Sequence, residues 1–201
     1  MKTGKGRVCR RLTLQLAFLA AIACGALALW PARVGFLDIT GDAFAQVRHK
    51  LAPLQSGAAA GPVEFSENEA SLLLNYLILQ NRPPPFNAGR FAVTAGRVVI
   101  NPETITVYLR GRLKPWRSAP DFIAPFPFTC RITGRPERKN GGLCFTVQRG
   151  AVGHLPLPAL GRLLGKRCLK QFFSPFKNAR SFLESLEITA MKKESIAVFR
   201  E

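Results

Sequence analysis

The sequence has few of the residues on which most catalytic and metal sites are built. It contains two histidines, and 12 acidic residues stand against 29 lysines and arginines. Its five cysteines form no Cys-x-x-Cys pair, so three or four clustered metal ligands are not expected. The chain also lacks a Gly-x-Ser-x-Gly elbow and a phosphate-binding glycine loop. We therefore expect no metal, no cofactor and no enzymatic activity.

His154 is the one histidine that invites a catalytic interpretation. A general base needs an orienting carboxylate and a nucleophile within hydrogen-bond reach. The nearest acids in sequence are Glu137 and Glu184, both far along the chain. We interpret His154 as a surface or hinge residue, and a cell-wall hydrolase is only a third hypothesis.

The longest hydrophobic run, Leu12 to Trp30, contains no charge and follows a basic segment, residues 1–11. Its 19 residues would measure roughly 28 Å as a helix, close to the hydrocarbon core of a bilayer. We expect a transmembrane signal anchor over residues 12–30, with cleavage after Ala28 or lipidation at Cys24 as alternatives. The positive segment then stays cytoplasmic, and the C-terminal part lies on the extracytoplasmic side of a bacterial inner membrane.

The exported part keeps 24 basic and 12 acidic residues, a net charge of +12. Such a charge favours an anionic partner, namely a lipid headgroup, an acidic glycan or nucleic acid, or else serves solubility alone. Because the part is exported, we expect no nucleic acid. Its length is enough for an independent core.

Residues 31–62 predict a juxtamembrane helix, from Asp38 to Leu54, and a small-residue linker. The helix is expected to lie against the bilayer or against the domain, which we place at residues 63–201. The sequence Ser66-Glu-Asn-Glu69 matches a capping box and predicts that a mostly apolar helix begins at Ser66. Alternating strands follow, which indicates a half-exposed antiparallel sheet and an α+β fold.

We expect a strand to end at a hinge, Gly153 to Pro158, and an amphipathic helix to follow the hinge as far as about Phe173. One face of this helix carries Leu160, Leu164 and Cys168. The opposite face carries Arg162, Lys166 and Lys170, which we expect to contact an anionic surface.

Two cysteines are candidates for a disulfide. A symmetric hairpin between Phe128–Thr133 and Leu143–Val152 would place Cys130 opposite Cys144, since both lie seven residues from Glu137. An oxidising compartment would allow the bond, whereas a one-residue slip would turn the sulfurs to opposite faces.

The order of these elements and the sequence Gly153-His-Leu-Pro-Leu-Pro158 resemble membrane-anchored envelope proteins of the YpmS and YceB type, over roughly residues 63–199. That family is associated with the tubular lipid-binding (TULIP-like) superfamily. The resemblance implies a strongly curved antiparallel half-barrel that wraps one or two helices and leaves an apolar groove for lipid.

Two functions follow as hypotheses. In the first, the domain binds a lipid or another apolar ligand in the groove between sheet and helix. Its expected wall residues are Leu73, Leu77, Leu160, Leu164, Phe122 and Phe126. In the second, the core is closed, and the domain is a structural or assembly factor of the envelope that binds a protein partner or an acidic glycan.

Overall fold

The computed structural model describes eight stretches of the chain: residue 17 and residues 19–27, 34–37, 41–80, 91–113, 126–139, 142–156 and 185–200. Within them the fold is α+β, with antiparallel sheets and three helices. The helices are α1 (residues 19–27), α2 (Gly41–Ser56) and α3 (Glu67–Gln80). The strands are β1 (Val63–Ser66), β2 (Phe91–Ile100), β3 (Ile105–Leu113), β4 (Phe126–Lys139), β5 (Gly142–Val152), β6 (Leu155–Pro156), β7 (Leu186–Lys192) and β8 (Ser195–Arg200).

The strands form two sheets, where the sequence had led us to expect one. The smaller has the order β1-β8-β7, and the larger has the order β2-β3-β4-β5-β6. In the described residues, no helix has both the length and the hydropathy needed to cross a bilayer. Residues 12–16, 18 and 28–30 of the expected anchor lie outside those residues.

Helix α2 packs against the domain. Its Val47 and Leu54 are almost fully buried, in a cluster with Phe65 of β1, Leu72 of α3 and Val198 of β8. The Arg200 guanidinium donates hydrogen bonds to the Leu54 and Gln55 carbonyls, at 3.2 and 2.5 Å, and so satisfies the end of the helix. Of the two alternatives for this helix, the contacts therefore favour packing against the domain.

A second cluster lies between α3 and one face of the larger sheet. Ile78 of α3 packs there with a buried residue from each of the first four strands of that sheet. These residues are Val93, Leu109, Ile132 and Val147. Helix α3 thus contributes to both clusters, which explains why it is apolar around most of its circumference.

The start of α3 has the predicted capping box. The Glu69 amide donates to the Ser66 hydroxyl at 3.3 Å, and the Ser66 amide donates to the Glu69 carboxylate at 2.8 Å. The Glu69 carboxylate also meets the Lys50 ammonium of α2 at 2.6 Å. Glu69 therefore takes part in capping the start of α3 and also links α3 to α2.

Polar side chains of α3 cover the backbone edge of β2. Glu67, Ser71 and Asn75 are spaced four residues apart and face alternate residues of the strand, namely Ile100, Val98 and Gly96. The Asn75 side chain both accepts from the Gly96 amide and donates to the Gly96 carbonyl, each at 2.7 Å. We call these three side chains the polar ladder. They give hydrogen-bond partners to backbone groups at the edge of β2 that would otherwise be unpaired.

Two local features make this approach of helix and strand possible. A Cβ atom at Gly96 would lie 2.5 Å from a methyl carbon of Leu74, so only glycine allows α3 so close. Glu194, in the turn between β7 and β8, has a φ of 69°. Its carbonyl accepts from the Glu67 amide at 2.9 Å and its amide donates to the Ile100 carbonyl at 3.1 Å.

Two local expectations were wrong. The sequence predicts two separate strands, from Arg90 to Thr94 and from Arg97 to Ile100, but β2 runs continuously through Ala95-Gly96, with a bulge between Val93 and Ala95. The expected hinge is a tight reversal at Gly153, whose φ is 57°, and Leu155–Pro156 pairs back onto β5.

Replacing Asn75 by leucine tests the polar ladder. Because Asn75 is 4% exposed, the change leaves the Gly96 amide and carbonyl without partners, at about 1–3 kcal/mol each. We expect Asn75→Leu to lower the free energy of unfolding, measured by urea denaturation, by about 3 kcal/mol or more. Asn68→Leu, at an exposed position of the same helix, should change it by less than about 0.5 kcal/mol. Equal effects of the two variants would contradict the proposed role of Asn75.

Glu69 makes the stability depend on pH. Burial raises its pKa, but the hydrogen bonds from Lys50 and Ser66 and the Lys50 charge outweigh it, so the pKa lies below the usual 4.5. A carboxylate whose pKa is lowered by folding stabilises the protein fully above its unfolded pKa, and this stabilisation is lost as pH falls through the folded pKa. Glu69→Gln keeps a capping-box residue but removes the charge.

We expect the difference in unfolding free energy between the wild type and Glu69→Gln to be largest near neutral pH and to shrink below about pH 4.5. Denaturation at a series of pH values measures it. Glu103→Gln, which removes an exposed carboxylate in the β2–β3 turn, is the control. A difference that does not change with pH would refute the role of the charge.

Candidate functional site

Of the expected apolar wall residues, the structure describes the side chains of Leu73 and Leu77. Leu73 is half-buried against the cluster that contains α2, and Leu77 is half-buried against the cluster on the larger sheet. Phe126 is the first residue of β4. Phe122, Leu160 and Leu164 lie outside the described residues, as do the expected anionic contacts Arg162, Lys166 and Lys170.

The expected disulfide is wrong because the β4–β5 register differs from the symmetric one. Cys144 lies opposite Glu137, and Cys130 lies opposite Val152. Seven residues of β4 therefore separate the two positions, roughly 24 Å along the strand. The two sulfurs are not joined to each other, and Cys144 is exposed.

His154 lies in the turn between β5 and β6 and is exposed. Its amide donates to the carbonyl of Leu27, in α1, at 2.9 Å. Within the described residues, no group of three or more potential metal ligands comes together. The position of His154 thus gives it a backbone contact with the N-terminal segment and no chemical partner that the structure describes.

The face of the larger sheet opposite α3 is rich in arginine. Residues that are opposite each other in neighbouring strands share a face, and residues alternate along each strand. Leu109 and Ile132 point towards α3, so the residues next to them point away. We call the resulting set the arginine stripe. Its members are Arg97, Arg110, Arg112, Arg131, Arg135 and Arg149.

The stripe crosses the sheet diagonally. Arg112 lies opposite Pro127 of β4, and Arg135 lies eight residues further along that strand, a distance of about 27 Å. The stripe is about 14 Å wide, since it involves the four strands β2 to β5. Five of its side chains are exposed, and Arg97 is half-buried. A broad positive surface results.

Acidic residues are almost absent from this sheet. Glu137 is the only acid in strands β2 to β6, and it accepts a hydrogen bond from the Thr146 hydroxyl at 2.9 Å. Among the described residues, no stripe arginine forms an ion pair. Four other glutamates are engaged elsewhere: Glu64 with Ser195, Glu67 with the Ile100 amide, Glu69 with Lys50, and Glu187 with Arg138.

The segment that follows the N-terminal run lies on the stripe. Arg97 donates a hydrogen bond to the Gly35 carbonyl at 2.6 Å. The Arg110 guanidinium lies 5.9 Å from the centre of the Phe36 ring, within the range of a cation–π interaction. Residues 34–37 are thereby held against the β2 and β3 part of the stripe.

The alternation from Thr104 to Leu113 predicts that Arg110 lies on the exposed face of its strand, but the sequence does not reveal the stripe. The signal was the spacing of two or four residues in Arg110-Gly-Arg112 and Arg131-Ile-Thr-Gly-Arg135. Spacing shows which residues of one strand share a face, whereas only the register shows that different strands contribute to one surface. The symmetric β4–β5 register expected from the sequence does not place the arginines of these two strands in their observed positions relative to each other.

No family model matches this chain, and neither a curated protein nor a solved structure matches it.

Proposed function

We propose that this protein is a non-enzymatic domain of the bacterial cell envelope, tethered by its N-terminal apolar run, that binds an anionic partner through the arginine stripe. The main support for this proposal is the concentration of six arginines on a sheet face that has one glutamate. The run Leu12 to Trp30 and the positive segment before it support the membrane location, with the domain on the extracytoplasmic side. The resemblance to envelope proteins of the YpmS and YceB type supports the same setting.

The electrostatics of the stripe favour a partner over simple solubility. Guanidinium groups brought together repel one another and destabilise the compact state unless an anion neutralises them. Solubility requires charge but not the separation of the two signs, and here the glutamates hold helices and strands together while five of the six arginines stay exposed. All six residues are arginine, which binds carboxylate or phosphate with two parallel hydrogen bonds.

The sequence led to two hypotheses, an apolar groove for a ligand and a closed core. The packing of α3 supports the closed core better. Leu74, Leu77 and Ile78 pack directly onto the larger sheet in the region where a groove was expected. The close contact at Gly96 shows how little room separates helix and strand there. The surface opposite α3 is therefore the more accessible candidate for binding.

Binding of the full chain to immobilised heparin, a soluble polyanion, tests this proposal. We expect Arg110→Gln/Arg131→Gln/Arg149→Gln to weaken binding at low salt by about 100-fold, if each arginine contributes about 1 kcal/mol. Arg48→Gln/Lys192→Gln/Lys193→Gln removes three exposed charges outside the stripe and should change binding by much less. Equal losses in the two triple variants would show that only net charge matters, and the proposal would fail.

An apolar ligand between sheet and helix is the second candidate function. Leu73 and Leu77 keep some exposed surface on α3, which is the observation in its favour. If a lipid binds there, native mass spectrometry of the detergent-released full chain should detect one retained lipid. Leu77→Trp should abolish this retention by filling the site, while Leu79→Trp, at a residue that is 42% exposed, should not. Absence of stoichiometric lipid in the wild type would eliminate this candidate.

A further inference from the structure

We infer that the anionic partner of the arginine stripe is the headgroup surface of the same bilayer that holds the N-terminal run, so that the larger sheet lies flat on the membrane. This inference rests on the proposed anion-binding function and specifies its partner. It concerns phosphate-bearing lipids such as phosphatidylglycerol. An acidic glycan or an acidic protein is a competing partner that the experiment below distinguishes.

The first support is the short connection between the run and the stripe. Gly35 is the fifth residue after Trp30, and a connection of five residue steps spans at most about 18 Å. Gly35 is hydrogen-bonded to Arg97, and Phe36 lies beside Arg110. If the run ends at the membrane interface, one end of the stripe is held within reach of the headgroups.

The second support is an independent contact at the other side of the sheet. The carbonyl of Leu27, a residue of the run itself, accepts the hydrogen bond from the His154 amide. His154 follows β5, the strand that carries Arg149. The N-terminal part of the chain therefore contacts the sheet both at β2 and after β5.

The third support is the exposure of apolar side chains in α1. Leu19, Ile22 and Leu27 are 61, 53 and 47% exposed, and they are three of the four most exposed large apolar side chains among the described residues. Exposed apolar residues beside a basic surface are typical of proteins that lie on anionic bilayers. The apolar helix and the basic sheet would therefore contact adjacent layers of one membrane.

The shape of the stripe also favours a bilayer. Its arginines come from four strands over about 27 by 14 Å, so a flat array of headgroups can contact several of them at once. Each basic residue near an anionic surface improves binding about five-fold. The apolar run would hold the chain at the bilayer, and the stripe would fix the orientation of the sheet on it.

Cys144 offers a probe for this orientation. It lies opposite Glu137 on the stripe face and is exposed. The full chain with Cys9, Cys24, Cys130 and Cys168 replaced by serine would be labelled at Cys144 with an environment-sensitive dye and placed in nanodiscs. The discs contain either phosphatidylcholine alone or phosphatidylcholine with phosphatidylglycerol.

We expect the Cys144 dye to shift to the blue and to be shielded from acrylamide only in discs with phosphatidylglycerol, with reversal by high salt. Arg110→Gln/Arg131→Gln/Arg149→Gln should lower the ratio of docked to undocked protein by about 100-fold. The Arg48→Gln/Lys192→Gln/Lys193→Gln control should dock like the wild type. A dye at Gln55→Cys, an exposed position of α2 in a Cys144→Ser background, should not respond.

The outcomes separate the two proposals. If the wild type binds heparin through the stripe but the Cys144 dye does not respond to phosphatidylglycerol, the membrane inference is wrong, and a glycan or a protein becomes the partner to identify. If neither heparin nor phosphatidylglycerol depends on the stripe, both proposals fail. Comparing the wild type in the two kinds of disc needs no variant of the stripe, so the test does not depend on how the variants fold.

Discussion

The pairing of α3 with the edge of β2 is the interaction on which the rest of the structure depends. Three side chains of the helix, Glu67, Ser71 and Asn75, bind the backbone of alternate strand residues, and Gly96 allows the helix to approach. Once this edge is covered, α3 has one side towards each hydrophobic cluster. The helix therefore joins the two sheets, and the opposite face of the larger sheet becomes the exposed one.

The two signs of charge have different roles in this architecture. Glutamates bind backbone amides, hydroxyls and basic residues at the junctions of α2, α3 and the closing hairpin. Arginines gather on the sheet face that α3 leaves uncovered. A charge surplus that would otherwise suggest only solubility thus becomes a directed surface, which lies beside the segment that follows the apolar run.

Local features were predictable because their causes are local. The capping box at Ser66 depends on residues a few positions apart, and it is confirmed. The β4–β5 hairpin was recognised, but its turn centre was misplaced by several residues, which moved Cys144 from Cys130 to Glu137. In a long hairpin with a polar turn, neither charge nor alternation selects one centre, and packing against α3 decides it.

By itself, the sequence indicated an antiparallel α+β fold, the helices α2 and α3, the apolar run and the excess of positive charge. These follow from periodicity, capping and composition, which depend on neighbours along the chain. The tertiary structure alone decided that the polar strip of α3 covers β2, that α2 belongs to the core and that six arginines from four strands form one surface. Each of these results depends on which distant segments are neighbours, and strand register and helix packing choose those neighbours by satisfying backbone groups and filling the core.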